Sequence, residues 1–502
     1  YNGGGENTKL NAVRVTRVAD DRPYITNPDP VPGGTDVLLD KSLTTGIGVP
    51  TVGDGTDTET VNSSTVLLYP TGSPGAPVSA NVNDTGGGDA IVVTPEQPLQ
   101  SNTQYTLKVT DGVKGVITGN AFVPFEMTFN TGTELIDDGP GDDITTLVEF
   151  DQLDSGASNE QYTSVTFGPD GKLYGITIDG RIKRWDVVRT DDPATPEDER
   201  GTLINEETIT TVTGPGGETR LAIGLAFDPA ATASNLVAWV SHNTFGFSGM
   251  ANWGGQISRL SGPDLGTQEL YVDNLPRSAR DHLTNSIEFG PDGAMYVNVG
   301  SMSAMGAPDN AWGDRAEVQL SAAVIRVDVP ALEAAGVPFD AQTSDGGSYD
   351  PYAANAPIKL FATGTRNAYD LLWHSNGNLY VPTNGSAAGG NSPADVQGTI
   401  RPDGTPYNGP DVPALNNISK RSDYLYRVPM PMQNTTGEIV GTDGWSWNHN
   451  YYGHPNPSRG EFVLNGGDPT DGDGNDPADV PEYPGGTQPD DDYAGFAFDF
   501  GE

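Results

Sequence analysis

The residue best suited to proton chemistry in this 502-residue chain is His282, one of five histidines. It precedes a segment of alternating apolar residues, NSIEFGPDGAMYVNVG, at 285–300. A histidine placed where such a strand begins can act as a general base, because its pKa lies near neutrality. The alternative is a surface-loop histidine without a chemical task.

A second candidate group, Arg366 and Asn367, occupies the matching place before a later copy of the same phrase, YDLLWHSNGNLYVPTNG, at 369–385. Arginine presents a planar fork to carboxylates, and asparagine both donates and accepts hydrogen bonds. If the two copies lie on neighbouring sheets, a base and an anion clamp share one rim. That arrangement suits an oxidoreductase or a sugar-binding mouth. The alternative is that Arg366 forms a structural salt bridge between sheets.

The repeated phrase predicts the architecture that positions these residues. Copies begin at Thr163, Ile223, Asn285 and Tyr369, and each reads as two alternating strands joined by a turn of the Pro-Asp-Gly type. Such hairpins, recurring at intervals of roughly 60–80 residues, favour a β-propeller with large, loop-rich blades. The loops of a propeller collect at the end of its central channel, so chemistry is expected there.

The chain is predicted to be all-β, with a β-sandwich followed by the propeller. In the sandwich, strand-like runs at 91–94, 104–110 and 125–130 are separated by Pro, Gly and Asn turns, which fits seven to eight strands. The predicted divisions are a leader or the end of an upstream module at 1–21, the sandwich at 22–133, an acidic linker at 134–146, and the propeller at 147–502.

Two of these segments carry further expectations. The linker, ELIDDGPGDDITT, reads as a solvated hinge, or alternatively as a joint stiffened by Ca²⁺. The final segment, 493–502, reads as the first strand of a further blade, so a six-bladed type of propeller is expected to be incomplete in this chain.

The composition excludes several classes of partner. The formal net charge of −42 repels nucleic acid and anionic membranes. No apolar run approaches the ~18–20 residues of a membrane helix, and zero cysteine excludes disulfides and thiol chemistry. The chain opens on Tyr1, as a mature or trimmed product does. An Asp-, Thr- and Gly-rich acidic surface predicts a secreted or cell-surface protein, extracellular or periplasmic, from a marine or salt-adapted prokaryote.

Residues 22–133 resemble the bacterial Ig-like modules of surface-layer and secreted proteins. The resemblance lies in the strand pair around NTQYTLKV at 102–109 and the closing TFNTG at 128–132. It implies a spacer or adhesive element rather than a catalyst.

Residues 150–500 resemble the soluble quinoprotein glucose/sorbosone dehydrogenase family. The pattern H-x-x-N-x-x-x-FGPDG-x-x-Y begins at His282, and G-x-RN-x-x-x-L with a following LYV begins at Gly364. The family implies a six-bladed propeller that holds pyrroloquinoline quinone (PQQ) and Ca²⁺. By this resemblance His282 is the general base, and Arg366, Asn367 and Asn285 contact the cofactor.

The resemblance also implies metal ligands. Gly385 and Ser386 stand where the family's backbone carbonyls hold Ca²⁺, although the usual acid and proline are missing from Thr383-Asn384-Gly385-Ser386. Apart from the family, Asp471, Asp473 and Asn475 alternate as the first ligands of a Ca²⁺ loop do, but Asp476 replaces the glycine of an EF-hand. They form either an irregular Ca²⁺ site or a hydrated loop.

The loop at 301–315, SMSAMGAPDNAWGDR, is expected to roof the mouth. Its Met302, Met305 and Trp312 either line a ligand pocket or pack in the core.

Two functions follow from the sequence. The first is a PQQ-dependent sugar dehydrogenase, in which an aldose or polyol loses a hydride to the quinone while His282 removes the hydroxyl proton. The alternative is a non-catalytic surface protein whose Ig-like module and propeller serve the binding of a glycan or a protein partner, or extracellular assembly.

Overall fold

The computed structural model describes residues 21–85, 87–134, 157–190, 200–401, 404–429, 451–469 and 478–501. The prediction of an all-β chain is confirmed, since these residues form 24 strands and one α-helix. The predicted leader lies outside the described residues apart from Asp21, and the predicted linker apart from Glu134. No helix in the described part of the chain is long and apolar enough to cross a membrane.

The N-terminal unit is a sandwich of two antiparallel sheets, in the orders β1-β2-β5-β4 and β3-β6-β7. Its strands are β1 Tyr24–Asp29, β2 Leu43–Gly48, β3 Val66–Pro70, β4 Ala80–Asp84, β5 Ala90–Pro95, β6 Gln104–Val109 and β7 Phe125–Asn130. Leu43, Leu107 and Phe129 are fully or almost fully buried between the sheets. The three strands predicted from alternation therefore coincide with β5, β6 and β7.

The following unit contains four propeller-like sheets, in the orders β11-β10-β9-β8, β12-β13-β14-β15-β19, β16-β17-β18-β20 and β21-β22-β23-β24. The first two comprise β8 Tyr162–Phe167, β9 Leu173–Thr177, β10 Ile182–Thr190, β11 Arg200–Ile209, β12 Arg220–Phe227, β13 Val237–Thr244, β14 Gly255–Ser261, β15 Thr267–Leu275 and β19 Phe339–Asp340. The other two comprise β16 Thr284–Phe289, β17 Met295–Val299, β18 Ala323–Val327, β20 Ile358–Thr363, β21 Leu372–Trp373, β22 Asn378–Thr383, β23 Asp423–Pro429 and β24 Phe498–Gly501.

The first strands of consecutive sheets lie beside one another, because β12 contacts both β8 and β16, and β16 contacts β21. We call the four sheets blades one to four. One short helix, α1, spans Val329–Ala335, and the Asp328 side chain caps its start.

The repeated FGPDG-x-x-Y phrase has a local physical explanation. In blade three, the Asp292 carboxylate accepts hydrogen bonds from the backbone N–H of Ala294 and from the hydroxyl of Tyr296. Gly293 adopts φ +78°, a left-handed conformation that favours glycine. A Cβ at Gly290 would collide with the Tyr296 ring. The aspartate, the two glycines and the tyrosine of the phrase therefore close a single turn.

The expectation that 493–502 opens a further blade is wrong for the strand found there. β24 pairs antiparallel with β23 and is the outer strand of blade four. An alternating apolar pattern indicates a strand, but it does not distinguish the first strand of a blade from the last.

Candidate functional site

The predicted rim residues meet between blades three and four. His282 directly precedes β16, Asn285 lies within it, and Arg366 and Asn367 lie between β20 and β21. The Asn285 side-chain amide donates to Asn367 Oδ1 at 2.8 Å and to the Ala368 carbonyl at 2.9 Å. A Cβ added at Gly300 would lie 2.7 Å from His282 Cβ and 2.8 Å from Asn367 Oδ1. The structure therefore brings His282, Asn285 and Asn367 into one packed group.

His282 is enclosed by protein, with 2% of its surface exposed. Its Nδ1 lies 2.8 Å from the Ser301 hydroxyl, and its ring centroid lies 4.1 Å from that of Trp312. Burial, together with the charge of Arg366, holds the pKa of His282 well below its usual value. The imidazole is therefore neutral, as a base must be, but the Trp312 ring lies against it.

Arg366 binds its own chain rather than an open space. Its Nε donates to the Ala304 carbonyl at 2.9 Å, and Nη1 donates to the Gly385 carbonyl at 2.8 Å. The Ser386 hydroxyl donates to the same Ala304 carbonyl at 2.7 Å. Arg366 and Ser386 thus hold the loop at 301–315 in place.

This loop fills the mouth, and its predicted apolar residues pack in the core. Met302 and Met305 are fully buried and Trp312 is 1% exposed. Asp309 fixes the loop from within, because its carboxylate accepts from the backbone N–H groups of Trp312 at 2.9 Å and Ala304 at 3.3 Å. Of the two interpretations of Met302, Met305 and Trp312, core packing is the one that the structure shows.

Glu317 anchors the start of the loop, and the motif pattern did not single it out. Its fully buried carboxylate accepts from the backbone N–H groups of Met302 and Ser303 and from the hydroxyls of Ser303 and Ser321. His454 Nε2 lies 3.1 Å away. Burial raises the pKa of Glu317, but the hydrogen bond and charge of His454, with the other donors, outweigh burial and lower it overall.

The Ig-like sandwich closes the mouth from outside. The Trp312 indole N–H donates to Asp89 Oδ2 of the sandwich at 3.0 Å. The Arg280 guanidinium donates to the Gly53 and Asp54 carbonyls of the sandwich and to the Ala311 carbonyl of the loop.

Further contacts join the two units. The Gly53 N–H donates to the Asn310 carbonyl at 2.7 Å, and the Asn310 side chain donates to the Val49 carbonyl at 3.0 Å. The Lys420 ammonium group forms an ion pair with the Asp29 carboxylate of the sandwich, at 2.7 Å. Lys420 follows Arg280 by 140 residues in the sequence, so it belongs to a different part of the propeller. The sandwich thus binds both the loop and blade four.

Carboxylates surround the buried arginines of this interface. Burial raises the pKa of Asp281 to about 6, and the neighbouring Asp89 adds to this shift. Burial likewise raises the pKa of Asp309 to about 7, against the lowering effect of its two backbone donors. Burial lowers the pKa of Arg280 and of Arg366, while the three carboxylates act in the opposite direction. The positive charges of the mouth are therefore already matched by acidic groups of the chain.

The predicted metal ligands divide into two sets. The Gly385 carbonyl accepts from Arg366, and the Ser386 side chain donates to Ala304. In the described part of the chain, no group of three or more His, Cys, Asp or Glu residues is arranged to hold a metal ion. Asp471, Asp473 and Asn475 lie outside the described residues, so their role stays a prediction.

Residues 19–131 match the family model of the bacterial Ig-like domain. Among solved structures, the chain is similar to the PQQ domain of a pyranose dehydrogenase from Coprinopsis cinerea, with 12% identity, a TM-score of 0.30, and 54% of this chain and 51% of that chain covered. It is also similar to the PQQ-bound aldose sugar dehydrogenase of Streptomyces coelicolor, with 18% identity, a TM-score of 0.28, and 56% and 79% covered.

A third similar structure is a carbohydrate-active enzyme of Trichoderma reesei, with 15% identity, a TM-score of 0.31, and 59% and 55% of the two chains covered. The chain thus spans about half the length of the Coprinopsis and Trichoderma proteins. No curated protein matches the chain.

The raised pKa of Asp309 gives a testable pH dependence. Between the unfolded pKa near 3.8 and the folded value of about 7, the native state holds a proton that the unfolded state releases. The contribution of Asp309 to stability therefore grows as the pH falls from about 7 towards 4. Relative to Asp309→Asn, the native chain should gain on the order of 2 kcal/mol between pH 8 and pH 5.

Urea unfolding of both chains at pH 8, 6.5 and 5 measures this difference. Because only the difference in stability between the two chains is used, the contribution of the buried histidines to the pH dependence cancels. Asp111→Asn makes the same chemical change at an exposed turn of the sandwich and should show no such trend. Parallel stability curves for Asp309→Asn and the native chain would contradict the prediction.

Proposed function

We propose that this chain is a secreted or cell-surface protein in which a sugar-dehydrogenase-like propeller and an Ig-like module form one unit for binding or assembly. In this unit the propeller mouth does not oxidise sugars. One observation carries the proposal: the Trp312 ring lies against His282, and Asp89 of the Ig-like module holds the Trp312 indole. The residue that would serve as the base is covered by a loop of the propeller, and the Ig-like module holds that loop.

The arrangement of the mouth does not fit PQQ. The cofactor's carboxylates need hydrogen-bond donors and positive charge. Here Arg366 already donates to two backbone carbonyls. The unpartnered buried atoms of the group include Asp281 Oδ1 and Asn285 Oδ1, which are acceptors and not the donors that a carboxylate needs. A bound Ca²⁺ would also compete with Arg366 for the Gly385 carbonyl.

The remaining features support a location outside the cytoplasm and a role in recognition. The match to a bacterial Ig-like domain, the net charge of −42 and the absence of cysteine are typical of exported proteins from salty environments. The partners expected are a sugar or glycan, an extracellular protein, or a second copy of the assembly. The acidic charge disfavours nucleic acid.

A second candidate function is a PQQ-dependent sugar dehydrogenase. It is favoured by the convergence of His282, Asn285 and Asn367, predicted from two sequence segments and found in one packed group. In this candidate His282 is the general base for an aldose or polyol, and Arg366 and Asn367 hold the cofactor. The mouth would first have to open by displacing Trp312.

A single assay separates the two candidates. The full chain is incubated with PQQ and CaCl₂, and reduction of a dye is followed with a panel of aldoses. We expect neither PQQ binding nor dye reduction by the native chain. Dye reduction that is lost in His282→Ala would overturn the proposal and establish the dehydrogenase.

A pair of variants tests the reason for inactivity. Trp312→Ala removes the ring that covers His282, whereas Trp253→Ala changes a tryptophan of another loop, whose indole N–H donates to Asp345. PQQ binding that appears only in Trp312→Ala would support closure by Trp312. Binding of PQQ by the native chain, equal to that of both variants, would show that the mouth is open.

A further inference from the structure

A large cleft in blade four is lined by residues other than His282 and Trp312. It lies between the segment that follows β22 and the segment that precedes β24, and its volume is about 710 Å³. Cavities of roughly 300–1,000 Å³ are the size that holds small organic ligands. Arg401 and residues 405–413, 459–461, 463 and 484–492 form its walls, so three segments converge on one space.

One wall presents a rigid guanidinium group. Arg401 lies 4.5 Å from the Tyr407 ring centroid and 4.7 Å from that of Phe462. Its Nη2 donates to the buried Asp395 carboxylate at 2.6 Å. Its Nη1 has no hydrogen-bond partner. The ring contacts and the ion pair hold the guanidinium group in a fixed position.

The cleft also presents carboxyl groups. Asp490 is held by the backbone N–H groups of Phe462 and Val463, at 2.8 and 2.9 Å from Oδ2. Arg459, the other arginine of the cleft, is already paired with Glu461 at 2.8 Å. Burial raises the pKa of Asp490 and of Asp492 to about 7, and Glu461 adds to both shifts. Near neutral pH these carboxyl groups can both accept and donate hydrogen bonds.

The chemistry of the walls selects one class of ligand. An anion would be repelled by the three consecutive acids Asp490, Asp491 and Asp492, and an apolar ligand would leave the polar groups without partners. Neighbouring sugar hydroxyls each donate and accept, so they match the carboxyl groups and the exposed Gln488 amide together. Pro406 and Pro484 add flat C–H surfaces beside them.

We propose that this cleft binds an uncharged oligosaccharide. The inference rests on the proposed function, because it names the site and the ligand class of a recognition protein. It requires no reaction at His282, so the cleft and the mouth act separately.

Isothermal titration calorimetry of the full chain at pH 7 tests the proposal, with maltotriose, cellotriose and xylotriose as probes and CaCl₂ in a separate titration. We expect at least one trisaccharide to bind. Asp492→Asn and Gln488→Ala should each weaken that binding about tenfold, since each removes a hydrogen-bonding group from the cleft. The matched control Asp111→Asn should bind as the native chain does.

Three results would overturn the cleft proposal: no trisaccharide binds, the two cleft variants bind as tightly as the control, or only Ca²⁺ binds and Asp492→Asn abolishes it. None of these results affects the dye-reduction assay at the mouth. Failure of the cleft proposal is thereby distinguished from failure of the proposed function, which would appear as sugar oxidation dependent on His282.

Discussion

Replacing Arg280 with methionine is expected to lower the free energy of unfolding by about 3–5 kcal/mol and to separate the unfolding of the Ig-like module from that of the propeller. Arg280 is 3% exposed and donates to carbonyls on both sides of the interface. Its removal leaves Asp89, Asp281 and Asp309 with less positive charge among them, and burial of unmatched charge is costly. Methionine keeps much of the side-chain length, so the loss reflects charge and hydrogen bonding more than volume.

Differential scanning calorimetry measures both parts of this prediction. A native interface of this kind should make the described units unfold in one transition, and the variant should show two. Arg427→Met, at an exposed position of β23, removes the same charge outside the interface and should change stability by less than about 1 kcal/mol. A single unshifted transition in Arg280→Met would show that the module is not coupled through this residue.

The positions of His282, Arg366 and Asn367 were predictable because a repeated sequence phrase places matching residues at matching positions of neighbouring blades. His282 and Arg366-Asn367 each stand just before the first strand of a blade, and neighbouring first strands lie side by side in a propeller. The sequence could therefore place Asn285 near Asn367 although the two are 82 residues apart. In the sandwich, alternation of apolar residues between turns was enough to identify strands β5 to β7.

The closure of the mouth was not predictable in this way. Asp89 and Trp312 are 223 residues apart and belong to different domains, and no periodic pattern links them. The sequence around Asp89 and Trp312 does not indicate that these two residues contact each other, because the contact forms only when both units are folded. The difference matters for function, because His282, Arg366 and Asn367 are present while the space beside His282 is taken by Trp312.

Glu317 is the second residue whose replacement should strongly lower stability, because it too is a buried charged group that binds several partners. Glu317→Ala is expected to destabilise the chain by about 3–5 kcal/mol. Two backbone N–H groups, two hydroxyls and His454 converge on this fully buried carboxylate, and alanine leaves them without a partner. Glu317→Gln keeps the volume but replaces one acceptor oxygen with a donor, so it should lose part of the same stability.

Guanidinium unfolding followed by tryptophan fluorescence measures the loss, and Glu269→Ala, on the exposed side of β15, provides the control. A value for Glu317→Ala within 1 kcal/mol of the control would contradict the role of Glu317 as the anchor.

The same variant also tests the closure of the mouth. Glu317 binds Met302 and Ser303, and the residues that follow them place Trp312 against His282. If Glu317→Ala remains folded but exposes His282, its histidine should titrate closer to the ordinary pKa, since burial is the main cause of its present shift. A proton NMR titration of His282 would then detect the opening of the mouth without any cofactor or substrate.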